Sequence, residues 1–192
     1  MLFFAAFILV IILAAILLAM WGIWIYNGLI RLRNQVENAF SSIDVILKKR
    51  HDLIPNLVAV AKKYADFEMQ TLTKISGLRS RAISGRLRSN ARLDVENQLS
   101  REIGNFLVAV EAYPQLKADR NFLQLQASLN EVEEQLSAAR RFYNTSVTEY
   151  NNAIEMFPTN IVANHLNYRR KKVLETPASE RQNVDVGQLF NN

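Results

Sequence analysis

The chain begins with a long run of apolar positions. Residues Leu2 to Tyr26 contain no charged side chain, and about 20 helical residues are enough to cross a bilayer core of about 30 Å. No basic residue precedes the run and bulky residues close it, unlike a cleavable signal peptide. The pattern therefore predicts an uncleaved transmembrane anchor over residues 1–26. The side chains expected at the lipid–water interface are Trp21, Trp24, Tyr26, Arg31 and Arg33.

Beyond the anchor, apolar or small residues recur at alternating steps of four and three, which is the spacing of one helix face. These positions are Ile25, Leu29, Leu32, Val36, Ala39, Ile43 and Ile46. Arg50 takes the next position, and Leu53, Leu57, Val60, Tyr64 and Phe67 resume the pattern. The transmembrane helix is therefore predicted to continue to Pro55. Because proline lacks an amide hydrogen and opposes the carbonyl of His51, the helix is expected to kink or restart there.

Two more amphipathic stretches predict helices that pack on the first. One stripe extends from Val95 to Tyr113 and ends at Pro114, and a longer stripe extends from Phe122 to Phe157 and ends at Pro158. A short helix is expected after Pro158. Aromatic residues on the stripes are expected in the core and not around a cofactor. They are Tyr64, Phe106, Tyr113, Phe122, Tyr143, Tyr150 and Phe157.

Glycine and serine weaken the helical pattern between residues 76 and 90, which predicts a fraying helix end and a turn. The same stretch is basic, and its arginines are Arg79, Arg81, Arg86, Arg88 and Arg92. Two interpretations stay open: a tip that binds phosphates or an acidic partner, or a solvated connection. A nucleic-acid partner is not favoured, because no aromatic residues interleave with these arginines.

No stretch alternates in the manner of a β-strand, so the fold class is all-α. We expect the transmembrane helix to continue into a long antiparallel bundle of three to four helices over residues 27–168. Residues 169–192 are polar and lack periodicity, which predicts a flexible polar and basic tail.

Composition argues against catalysis. The chain has no cysteine, two histidines and no glycine-rich phosphate loop, which excludes thiolate chemistry, a histidine-rich zinc site and a dinucleotide fingerprint. His51 lacks a nucleophile at a spacing that commits it to the same face. Glu131, Glu133 and Glu134 lack the Glu-x-x-His motif of a di-metal bundle and are expected on the surface. We therefore expect no enzyme activity, cofactor or metal.

The charges that flank the anchor predict its orientation. No charged side chain precedes the span, whereas Arg31, Arg33, Lys48, Lys49 and Arg50 follow it. The positive-inside rule then places the C-terminal domain in the cytoplasm.

Several long stretches carry a family resemblance. The first starts at Tyr26 and reads YNGLIRLRNQVENAFSSIDVILKKRHDLIPNLV, and KKYADFE, YPQLKA, FLQLQASLNEVEEQLSAARRFYN and YNNAIEMFPTN follow it. From Tyr26 to Ala163 the chain resembles the LemA family of bacterial membrane proteins. The resemblance implies a single N-terminal anchor, a long antiparallel helical bundle and no established enzymatic activity. The magnetosome-membrane branch of the family implies a role in organising membrane-associated assemblies.

The chain also departs from the family pattern. Phe40 stands where tryptophan is usual, Ile46 where glutamine is usual, and Phe67 where a histidine is common. After Ala163 the sequence NHLNYRRKKVLE replaces a Gly- and Phe-rich continuation. A role for that histidine or for the family's tail is therefore not carried over.

These observations favour a membrane-anchored scaffold or adaptor that binds copies of itself or another membrane-associated protein. Ile46 is an apolar residue that a lone bundle is not expected to bury fully. A signalling module that acts on a membrane kinase or protease is the alternative. A hydrolase would require His51 or clustered carboxylates to meet in a pocket. The expected partners are the lipid bilayer, a second copy of the chain and another membrane-associated protein.

Overall fold

The computed structural model describes residues 2–64, 69–84 and 89–174, and within these ranges most residues are helical and none lies in a strand. Helix α1 (Leu2–Ala61) is the longest. Four helices follow: α2 (Met69–Ile83), α3 (Ser89–Val110), α4 (Pro114–Lys117) and α5 (Arg120–Glu155). A short helix, α6 (Thr159–His165), completes the series. The all-helical fold and the long apolar N-terminal helix are as predicted.

The described chain divides into two compact units. The first unit combines α1 up to Ile43 with residues Ala139–Leu174, and the second unit comprises Asp44–Ala138. Helices α1 and α5 each contribute to both.

The core of the first unit joins α1 to the C-terminal part of α5. Its buried apolar residues are Ile25, Leu29, Val36, Ala39, Ile43, Tyr143, Val147, Tyr150, Ile154 and Ala163. The rings of Phe40 and Tyr143 lie 5.8 Å apart, and Gln35 hydrogen-bonds to Ser146 and Glu149 at 3.4 and 3.3 Å. The α1 residues of this core belong to the stripe that the sequence predicted.

The second unit has a core to which five helices contribute. Ile54 and Leu57 come from α1, and Leu72 and Ile75 from α2. The remaining helices supply Leu99, Ile103, Phe106, Val110, Leu116, Phe122 and Leu129. The aromatic rings of Phe106 and Phe122 lie 6.1 Å apart within this cluster. Apolar burial of this extent is the main term that stabilises such a unit.

Three local expectations differ from the structure. Helix α1 does not restart at Pro55 but continues to Ala61 and ends before Tyr64. Helix α2 passes through Gly77, where fraying was predicted. Phe157 is 78% exposed and is not a core residue. The predicted turn falls largely on residues 85–88, and Phe67 falls within residues 65–68, so both lie outside the described residues.

Candidate functional site

The apolar half of α1 has the features of a membrane span. Helix α1 is long and apolar enough to cross a bilayer, and the side chains of Phe3 to Trp24 are not buried. At its end Trp21, Trp24 and Tyr26 are 48%, 71% and 43% exposed. Exposed aromatic side chains at the end of an apolar helix suit the lipid–water interface.

The two arginines predicted at this interface differ in their surroundings. Arg31 is exposed. Arg33 donates from Nε to a Glu37 carboxylate oxygen at 3.1 Å, and its guanidinium carbon lies 5.9 Å from the centre of the Tyr168 ring. That hydrogen bond lowers the pKa of Glu37 from its ordinary value. Arg33 is therefore held within the first unit, whereas Arg31 is exposed.

A buried cluster of charges lies in the second unit. Arg50 is completely buried, and its guanidinium pairs with the Glu96 carboxylate and, at 2.7 Å, with Glu133. It also donates to the Ser100 hydroxyl at 2.5 Å. The Nε2 atom of His51 lies 3.1 and 3.2 Å from the two carboxylate oxygens of Glu96. An ionised carboxylate can only accept, so His51 carries a proton on Nε2 in this arrangement.

Two opposing effects set the pKa of Glu96. Burial is the largest single influence and raises it, because a charge without water is unfavourable. The hydrogen bond from His51 and the charge of Arg50 act in the other direction and together outweigh burial. The pKa of Glu96 therefore lies below its ordinary value, and the carboxylate is ionised near neutral pH.

The geometry of this cluster favours packing over catalysis. The Ser100 hydroxyl is engaged by Arg50 and Glu133, while His51 is engaged by Glu96, so serine and imidazole do not form a nucleophile–base pair. Arg50 and Glu96 have no exposed surface for a substrate to reach. Within the described residues, no group of three or more histidines and carboxylates is arranged to hold a metal ion.

The backbone beside this cluster explains how α1 passes through Pro55. In a regular helix the amide of residue 55 would donate to the carbonyl oxygen of His51, and proline has no hydrogen to donate. Arg79 on α2 donates from Nε to that oxygen at 2.7 Å. The side chain therefore replaces the hydrogen bond that Pro55 removes.

The basic stretch is not one uniform surface. Arg79 is half-buried and donates a hydrogen bond to the carbonyl oxygen of His51. The guanidinium of Arg92 lies 3.1 Å from a carboxylate oxygen of Asp44. Arg81 is exposed in the last turn of α2. Arg86 and Arg88 lie outside the described residues. Two of the five predicted anion-binding residues thus make contacts inside the second unit.

A pair of asparagines holds the segment after α6. Asn151 donates to the carbonyl oxygen of Lys171 and accepts from its amide, both at 2.9 Å. Asn144 does the same for Leu174, at 2.9 and 2.7 Å. From Asn144 to Asn151 helix α5 rises about 10.5 Å, which matches the length of the three extended residues from Lys171 to Leu174 at about 3.4 Å each. Residues 171–174 therefore differ from the flexible tail predicted from residue 169, while residues 175–192 lie outside the described residues.

Sequence reasoning missed Glu96 as a site residue and placed Glu133 on the surface. Glu133 is half-buried and accepts from Arg50, so that placement is wrong. The available signal was Arg50 itself. A charge on the buried stripe of one helix requires an opposite charge on the helices that face it.

The described part of the chain is built from helices, and one of them is long and apolar enough to cross a membrane, which are features of the membrane-associated helical proteins. A family model described as the LemA family matches residues 39–187. Protein LemA of Metamycoplasma hominis is 30% identical over 165 residues, which cover 86% of this chain and 75% of that protein. The chain belongs to the LemA family.

Two more distant relatives are magnetosome proteins by name. Magnetosome protein MamQ 2 of Paramagnetospirillum magneticum is 20% identical over 190 residues, which cover 86% of this chain and 70% of that protein. Magnetosome protein MamQ of Magnetospirillum gryphiswaldense is 21% identical over 181 residues, with coverage of 81% and 66%.

Proposed function

We propose that this chain is a single-pass membrane protein whose antiparallel helical bundle acts as a scaffold or adaptor. It binds copies of itself or another membrane-associated protein and performs no catalysis. One observation carries the proposal: helix α1 is a single helix that exposes apolar side chains over its first half and buries a stripe over its second. Such a helix joins a bilayer anchor directly to a packed domain.

The contacts of α1 with α5 support an antiparallel arrangement. In the first unit Phe40 contacts Tyr143 while Gln35, earlier on α1, contacts Glu149, later on α5. In the second unit Nζ of Lys49 lies 3.5 Å from a carboxylate oxygen of Glu131. Residue numbers rise on one helix as they fall on the other.

The buried polar cluster supports a role without catalysis. Arg50 has its charge balanced by Glu96 and Glu133, and these groups hold α1, α3 and α5 together. A charge network of this kind fixes the register of helices, since any shift along an axis would leave a buried charge unpaired. Two of the relatives are magnetosome proteins by name, and by analogy we propose that this chain acts as a scaffold beside a membrane assembly.

The mass of the complex in native detergent or lipid nanodiscs tests the scaffold. Stable oligomers of the full chain, or a complex with another membrane protein, are expected. A stoichiometric complex with a single kinase or protease would instead support the sensor alternative. A monomer that copurifies with nothing would contradict both.

The proposed location is a bacterial inner membrane with the C-terminal domain in the cytoplasm. The support is the excess of arginine and lysine after the span, from Arg31 to Arg50. Protease added to intact spheroplasts should leave the domain uncut. Digestion without lysis would reverse the orientation.

The proposed anion-binding surface needs a narrower variant than the five arginines together. Arg79 and Arg92 make internal contacts, so their replacement would perturb folding as well. Changing Arg81, Arg86 and Arg88 to glutamine should leave the fold intact and weaken partner binding. The remaining binding should respond less to salt, because screening acts on exposed charges. Unchanged binding and salt response would leave these arginines as a solvated connection.

A further inference from the structure

The connection between α5 and α6, together with the first turn of α6, exposes three large apolar side chains. Met156, Phe157 and Ile161 are 63%, 78% and 62% exposed. They cluster in sequence around Pro158, directly after a helix whose apolar stripe is otherwise buried as far as Ile154. A grouped apolar surface of this kind marks a place where the protein meets another apolar phase.

The register of α1 and α5 shows where this surface lies within the first unit. The Phe40 and Tyr143 rings are in contact. Phe157 is 14 residues beyond Tyr143, and Tyr26 is 14 residues before Phe40. Because the two segments advance in opposite directions at about 1.5 Å per residue, Glu155 at the end of α5 reaches the level of Gly28. Phe157 follows two residues later, close to the level of Tyr26. That level is the end of the apolar span.

A second observation agrees with this level. Ile25 is 4% exposed, although its neighbours Trp24 and Tyr26 are 71% and 43% exposed. A single helix cannot bury one of its own side chains to this extent, so another segment of the chain covers Ile25. The end of α5 and the start of α6 are the elements that the register brings there.

We propose that Met156, Phe157 and Ile161 dock on the bilayer interface beside the end of the transmembrane segment, as a second membrane contact. This inference rests on the proposed anchor. The occupant is lipid because the surface lies level with Trp24 and Tyr26, which themselves suit the interface. Arg31 is exposed, lies five residues after Tyr26 on α1 and suits anionic headgroups.

The second contact has a structural consequence. One helix through a bilayer leaves the attached domain free to tilt and to rotate about the helix axis. A neighbouring apolar tip in the same interface fixes which face of the first unit points away from the membrane. For a scaffold, that constraint presents the same surface of every copy to its partners.

The chain has no cysteine, so single cysteine variants can carry an environment-sensitive fluorophore without further changes. Phe157→Cys and Ile161→Cys report the tip, and Phe142→Cys is the matched control. Phe142 is also an exposed phenylalanine on α5, at 53%, but it lies about 22 Å nearer the start of that helix. Leu13→Cys reports the anchor. Each full-length variant is reconstituted in vesicles of phosphatidylethanolamine and phosphatidylglycerol.

Labels at residues 157 and 161 should shift to shorter emission wavelength and be quenched by nitroxide lipids more than by aqueous iodide. The label at residue 142 should show the reverse. If residue 13 reports lipid while 157 and 161 respond to iodide as 142 does, the second contact is overturned and the anchor stands. Labels at 157 and 161 shielded from both quenchers would mean that protein covers the tip, which also overturns it. An iodide-accessible residue 13 would overturn the anchor itself.

Discussion

Arg50 occupies a position on the buried stripe of α1 where the neighbouring turns carry isoleucine and leucine. Its charge is tolerated because Glu96 and Glu133 reach it from other helices and the Ser100 hydroxyl completes the contacts. Removing one partner of a buried pair leaves the other without compensation, which costs more than the pair contributes to stability. Single substitutions in this cluster therefore distinguish it from ordinary surface charges.

Glu133→Ala should lower the free energy of unfolding by about 1–3 kcal/mol, because Arg50 loses a charged hydrogen-bond partner. Glu134→Ala is the matched control, since Glu134 is adjacent on the same helix and exposed. It should change stability by no more than about 0.5 kcal/mol. Denaturant unfolding of both variants, monitored by circular dichroism, makes the comparison. Equal effects would mean that the Arg50–Glu133 contact contributes nothing.

Glu96 makes the stability of the second unit depend on pH. Because its pKa is below the ordinary 4.5 in the folded chain, the ionised carboxylate stabilises the fold above that value. This contribution is lost as the pH falls through the lower folded pKa. Melting temperature should therefore drop on acidification, and the drop should be smaller in Glu96→Gln.

Glu37 and Asp119 also have lowered pKa values. Both residues are present in the wild-type chain and in the Glu96→Gln variant, so their effects cancel in the comparison. Parallel pH profiles for the two chains would show that Glu96 is not coupled to folding.

Arg79 and Pro55 should be energetically coupled. Arg79→Ala leaves the carbonyl oxygen of His51 without its donor and should destabilise the chain by about 1 kcal/mol or more. In the Pro55→Ala background residue 55 regains an amide hydrogen that can bond to that oxygen, so the same substitution should have a smaller effect. A double-mutant cycle measures the difference. Additive effects would disprove the exchange of donors.

At the scale of elements, the asparagine pair on α5 holds residues 171–174. Asn151→Ala should remove the protection of the Lys171 amide against hydrogen exchange, since that amide donates to the Asn151 side chain. Asn151→Asp retains an acceptor and should keep more of the protection. Asn152→Ala, at the adjacent exposed position, should leave it unchanged. Loss of protection in all three variants, or in none, would contradict the assigned contact.

The sequence predicted most of the helices because their apolar stripes report burial directly. Val95, Leu99, Ile103, Phe106 and Val110 are all buried as their spacing indicated. The sequence did not predict α2 as a separate helix, because Gly77 and the serines around it disfavour helix. Their penalty is only about 1 kcal/mol per residue or less. Burial of Leu72, Ile75 and Leu78 on one face of α2 outweighs that preference.

The contacts between distant residues could not be predicted in the same way. The pattern placed Arg50 at a stripe position, but it could not say which acids would meet it. Glu96 and Glu133 are 46 and 83 residues away, and their approach depends on how the helices pack. The hydrogen-bond donor that replaces the amide of Pro55 is equally hard to predict, because both interpretations of the basic stretch leave Arg79 facing outward. Ile46, expected to be left partly uncovered, is half-buried.

At the scale of the whole molecule, the anchor must remain attached to the domain for the protein to be held at the membrane. Helix α1 includes both the apolar span and the stripe that packs in the two units, so cleavage after the span would remove the membrane attachment. The proposed scaffold and the proposed second membrane contact both require the intact helix.

The most direct test is intact mass spectrometry of the protein extracted from carbonate-washed cell membranes. Carbonate removes peripheral proteins and leaves integral ones. We predict that the protein stays in the membrane fraction and that its mass corresponds to a chain that retains Leu2 to Tyr26. Release by carbonate, or a mass that corresponds to a chain beginning after Tyr26, would contradict the anchored architecture.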